Sequence, residues 1–125
     1  MNLKPYIPAL IWLVVITWLS VNSGMPMPKF NLFSADKLFH AAAYAMLTGL
    51  LLWGRYKTGP LPVPRAQQFL IFLAATGYGA FMEWIQGTFF PNRSFEYDDM
   101  IANTSGVFLV IMIFRAIQPP AQPGS

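Results

Sequence analysis

AQQFLIFLAATGYGAFMEWIQGTFF, residues 66–90, carries a single ionisable side chain, Glu83, in an otherwise apolar, small-residue and amide run. As a helix rising 1.5 Å per residue, it is long enough to cross a hydrocarbon layer about 30 Å thick. Three more stretches read the same way. Residues 6–21 (YIPALIWLVVITWLSV) contain no charge, 38–53 are entered through Asp36-Lys37 and left through Arg55, and 100–117 carry only Arg115 near their end. Between them lie 22–33, the GPLPVP of 59–64 and the Pro-Asn-Arg-Ser of 91–94, rich in residues that end helices where the chain is wet. The expectation is an all-α, polytopic membrane protein of four short spans, forming one domain over 1–125, with a non-helical tail from Pro119. The first segment also reads as a leader cleaved near Val21-Asn22-Ser23, but three following spans make an anchor the more natural assignment.

Composition agrees. Apolar residues make up 55% of the chain and charged residues 10%, against roughly 25% in soluble proteins. The net charge of +3 comes from basic residues scattered singly, with no patch for nucleic acid. Without cysteine there is no disulfide, thiolate metal site or thiol nucleophile. With the N-terminus inside, the cytoplasmic side holds Lys4, Arg55, Lys57, Arg65 and Arg115 and no acid; the outer side holds Lys29, Lys37 and Arg93 with Asp36, Glu96, Asp98 and Asp99. Cytoplasmic loops favour Lys and Arg, so both termini are expected inside.

Polar residues are costly in hydrocarbon, and here they gather toward the outer ends of three spans. His40 and Asn103 lie about 6 Å below their helix starts, and Glu83 about 10 Å, with Gln86 one turn shallower. Asp36, His40 and Tyr44 share one helix face, as do Glu83 and Gln86, and Asp99, Asn103 and Gly106. Faces so polar are expected to meet in an interior pocket open to the outside. Small residues at four-residue spacing (Ala41, Ala45 and Gly49; Ala75 and Gly79; Ala102 and Gly106) allow close helix approach. These patterns make helices two, three and four the core, with helix one a greasy flank.

Each residue has a plain and a functional reading. Glu83 is either an ion pair joining helices or, with His40, a general acid/base pair. His40 with the nearby carboxylates has ligand-capable groups, but too few nitrogen or sulfur donors for an ordinary zinc site, so no metal or cofactor is expected. Asp98 and Asp99 suit a helix start, though one would suffice as a cap. Lys37 and Arg93 could anchor the interface or grip a phosphate or carboxylate. The hydroxyl of Ser105 is a weak candidate nucleophile.

DKLFHAAAYAMLTGLLLWGR (36–55) and GYGAFMEWIQGTFFPNRSFEYDDMIANTSGV (77–107) together resemble the VanZ-like family of bacterial membrane proteins. The family pattern of D-K-x-x-H-x-x-x-Y, E-x-x-Q, P-x-R and D-x-x-x-N-x-x-G falls on Asp36, Lys37, His40, Tyr44, Glu83, Gln86, Pro91, Arg93, Asp99, Asn103 and Gly106, with Asp98 doubling the acid. The match runs over about 36–107. The resemblance implies a plasma-membrane protein associated, through the family's namesake, with resistance to teicoplanin-type glycopeptide antibiotics; it supplies no reaction. Three functions follow as expectations: binding of a lipid-linked or cell-wall precursor or another polar envelope ligand, acid–base catalysis on such a molecule, or a structural place in a larger membrane complex. Membrane lipid is the expected partner in each.

Overall fold

In a computed structural model, residues 2–22, 35–89 and 97–118 are described, with side-chain surroundings for 2–20, 38–89 and 100–118. The described residues form a short 3₁₀ turn, Lys4–Tyr6, and four helices: α1 (Ile7–Asn22), α2 (Ala35–Thr58), α3 (Arg65–Phe89) and α4 (Tyr97–Ile117). No strand occurs among them. The expected loop 22–33 (apart from Asn22), the Pro-Asn-Arg-Ser stretch and the tail from Pro119 lie outside the described residues.

α2 and α4 start three residues earlier than expected, and α2 continues five residues beyond Trp53. Gly54 does not stop it. The Tyr6 ring occupies the space where a Cβ at Gly54 would stand, 2.4 Å from Cδ1. Thr58 donates its hydroxyl to the Gly54 carbonyl at 3.0 Å, and Arg55 and Lys57 in the last turn suit the negative end of the helix dipole. At α4, Asp98 and Asp99 fall inside the first turn, where carboxylates stabilise the positive end.

Neighbouring contacts fix an up-down-up-down arrangement. Gly106 lies on the Ala41 backbone, and Trp53 and Phe114 flank one groove, so α2 and α4 run parallel. Gly79 meets Tyr44 and Asn103 while Gln67 reaches Arg55, so α3 runs against both. The tightest crossing is that of α2 and α4: a Cβ on Gly106 would stand 2.2 Å from the Ala41 carbonyl oxygen. Here the small-residue spacing has its expected effect. Gly49, in the same α2 stripe as Ala41, instead faces open space.

Burial runs opposite to that of a water-soluble bundle. Thr48, Gln68, Glu83, Gln86 and Asn103 are buried, while Leu70 and Ile101 are each 62% exposed and Phe89 65%. Exposed apolar side chains on every helix, with amides and a carboxyl inside, suit lipid as the surrounding solvent. α3 and residues 100–117 are long and apolar enough to cross a membrane. α1 is apolar but shorter, and α2 is not among the helices that meet this standard.

Two sequence-level expectations need correction. α1 is no mere flank: Ile16 joins the core formed by Tyr44, Leu47, Ala75, Val107 and Ile111. The Trp12 indole donates to the Ala43 carbonyl at 2.8 Å, and Thr17 pairs with the Tyr78 hydroxyl. Polar atoms in an apolar helix need partners, and the bundle supplies them. Nor is buried polarity confined to one half. Gln68, at the start of α3, is 1% exposed; its amide donates to the Val63 carbonyl at 2.9 Å and its oxygen accepts from the Arg115 Nε at 2.7 Å.

Candidate functional site

The helix register carries Tyr44, Glu83, Gln86 and Asn103 into the interior from α2, α3 and α4; all four are buried. Gly79 is the pivot. A Cβ there would lie 3.1 Å from the Asn103 Nδ2 and 3.3 Å from the Tyr44 ring, so its missing side chain makes room for both. Glu83, one turn farther along α3, is 2% exposed and lies within electrostatic range of the Tyr44 hydroxyl, as does Tyr78. The Asn103 Oδ1 is buried and accepts no hydrogen bond among the described residues. A carboxyl, two carboxamides and two phenols are thus gathered at one end of the bundle, a mixture of donors and acceptors suited to a polar molecule or to joining helices.

Gln86 already has one task. Its amide donates to the Ser20 carbonyl at 2.9 Å, tying α3 to the end of α1. With the Thr17–Tyr78 pair, this bond closes the side of the cluster toward α1. Both α1 partners, Thr17 and Ser20, escaped the sequence reading, which weighed that helix only for greasiness. The one available signal was their place near the same end as Gln86.

His40 lies one helical turn before Tyr44 on α2 and is half-buried. Asp36 and Lys37 stand in the first turn of α2 and Asp98 and Asp99 in that of α4; their side chains, and all of Arg93, lie outside the described residues. Ser105 is exposed and donates back to the Ile101 carbonyl at 2.8 Å, turned away from the buried cluster. This bond gives the hydroxyl a local role. Among the described residues no three potential metal ligands come together.

A family model described as VanZ/LLP1 matches residues 3–118. The chain belongs to the VanZ/LLP1 family. The match confirms the resemblance drawn from the motifs, and it extends beyond their span of 36–107 to take in α1 and the end of α4. No curated protein and no solved structure matches the chain.

Proposed function

We infer that this VanZ/LLP1 member crosses a bacterial plasma membrane four times with both termini in the cytoplasm. In this reading the Tyr44–Glu83–Gln86–Asn103 cluster binds a polar or anionic group of an envelope molecule from the outer side. A lipid-linked or cell-wall precursor headgroup fits: Lys37 and Arg93 would meet it at the mouth, and His40, Glu83 and Asn103 below. Asp36, Asp98 and Asp99 belong to the same rim. The observation carrying this reading is the enclosure of a carboxyl and two amides among helices whose outer faces are apolar. Polar groups within a membrane are expensive and mark function by default. The buried acceptor on Asn103 is one atom such a ligand could satisfy.

A structural role is the second reading, favoured by the Gln86 bond to Ser20. Glu83→Gln separates the two because it keeps shape and removes charge. The expected outcome is a variant that inserts and melts like the parent but no longer alters the sensitivity of its host to teicoplanin-type glycopeptides. Degradation of Glu83→Gln would assign the cluster to helix packing. Loss of the phenotype with precursor binding retained would favour acid–base chemistry by Glu83 and His40. If Glu83→Gln and His40→Ala both leave the phenotype intact, the site reading fails.

A further inference from the structure

A second opening lies away from the polar cluster. A groove of about 470 Å³ lies between α2 and α4 at the opposite end, floored by Gly49 and walled by Trp53 and Tyr56 on one side and Val110 and Phe114 on the other, with Gln118 at its mouth. Its volume falls within the ~300–1,000 Å³ usual for small-molecule sites. From Gly49 to Tyr56 the groove runs about 10 Å along α2, most of the depth of one leaflet, whose hydrocarbon is about 15 Å thick. Nothing lies within 4 Å of the place where a Gly49 Cβ would stand.

Among the described residues, the charges at this end of the bundle are basic. The Lys57 Nζ lies 4.7 Å from the Trp53 ring centre and 5.7 Å from that of Tyr56, which holds the cation beside two groove walls. Arg115, exposed overall, is held toward α3 by its bond to Gln68 and does not line the groove. Gln118 is fixed too, accepting from the Val63 backbone N–H at 3.0 Å. Arg55 and Lys4 stand at this end as well, whereas the acidic residues (Asp36, Glu83, Glu96, Asp98 and Asp99) occur in the sequence near the opposite ends of the helices. We propose that the α2–α4 groove is a binding site for an anionic glycerophospholipid, one acyl chain lying along Gly49, Trp53 and Phe114 and the phosphate at Lys57. An apolar slot about 10 Å long, with a lysine held against two of its aromatic walls, selects that chemistry. A second copy of the chain is disfavoured as occupant, because a two-fold axis along the membrane normal would bring Lys57 toward its own counterpart. The site needs the helices to lie in a bilayer, but not the polar cluster to hold a ligand.

The full chain, reconstituted with equal amounts of phosphatidylglycerol and phosphatidylcholine of matched acyl chains and then extracted, is examined by native mass spectrometry. Expected is a retained phosphatidylglycerol in preference to phosphatidylcholine. Gly49→Phe fills the slot and should abolish retention without lowering the melting temperature. Lys57→Ala, at an exposed position, should reduce the preference for the anionic lipid about fivefold, the effect of one basic residue near a charged membrane surface. Wild-type retention by Gly49→Phe, or an unchanged preference in Lys57→Ala, overturns the proposal. So does a disulfide dimer formed by changing Ile113, which also lines the groove, to cysteine (Ile113→Cys), since it would place a second chain on the groove in this otherwise cysteine-free protein.

Discussion

Two glycines show how little spacing alone says about contact. Gly49 and Gly106 both belong to small-residue patterns, and both were expected at helix crossings. Only Gly106 is pressed against backbone: a Cβ there would stand 2.2 Å from the Ala41 carbonyl oxygen and 3.0 Å from its carbon. Main-chain atoms cannot rotate aside, so Gly106→Ala must push α2 and α4 apart, at a cost of about 1–3 kcal/mol. The expected result is a clearly lower melting temperature in detergent. Gly49→Ala meets nothing within 4 Å and improves helix propensity, so it should melt no lower than the parent. Equal losses in the two variants would show that α2 and α4 do not cross at Ala41–Gly106. Periodicity tells which residues share a face; which part of that face is covered depends on how the helices diverge along their length, and no single residue encodes that angle. The same limit applies to the site. Burial of Tyr44, Glu83, Gln86 and Asn103 followed from the expense of polarity in lipid, but the space made by Gly79 between Tyr44 and Asn103 did not.

Among the elements, α3 is anchored at both ends by amides that the sequence made easy to undervalue. Glutamine in an apolar run reads as a minor irregularity beside a carboxylate, which is why Glu83 drew attention and Gln68 did not. Yet Gln68 joins three segments, accepting from Arg115 of α4 and donating to Val63 in the connector before α3. The connector is held a second time by Arg55, which donates to the Pro60 carbonyl at 3.0 Å and bonds Gln67. Removing Gln68 leaves the Val63 carbonyl with only the longer 3.4 Å bond from Gln118 and deprives the Arg115 Nε of its acceptor. Gln68→Ala should therefore cost about 0.5–1.5 kcal/mol for each of the two bonds lost. A cycle combining Gln68→Ala with Arg115→Ala should show coupling above about 0.5 kcal/mol in reversible unfolding. Additive losses would mean that the pair does not join α3 to α4. α1 carries a similar lesson: its length and apolar character were legible, but the bonds from Trp12 to Ala43 and from Thr17 to Tyr78 depend on facing helices far away in sequence.

For the whole molecule, charge placement decides orientation more than hydropathy does. Hydropathy marks α3 and residues 100–117 as capable of crossing, while α2, bounded by Asp36-Lys37 and Arg55–Lys57, is not among the helices that meet that standard. Such a helix crosses readily once its polar face is covered, and the packing of α2 against α4 at Ala41–Gly106 helps provide that cover. The orientation proposed for the four-span reading rests on positive-inside bias, and the connector between α2 and α3 is its main source: Arg55, Lys57 and Arg65 lie in or beside it, with no acid among them. A reporter fused after Gly59 is expected in the cytoplasm and one fused after Asn92 outside. Changing Arg55, Lys57 and Arg65 together to glutamine leaves Lys4 and Arg115 as the cytoplasmic cations, against Lys29, Lys37 and Arg93 outside. With the bias thus reversed, both reporters should appear in mixed orientation. If the parent already places Asn92 in the cytoplasm, the acidic residues near the starts of α2 and α4 face inward, and the polar cluster could not take its ligand from the outer side.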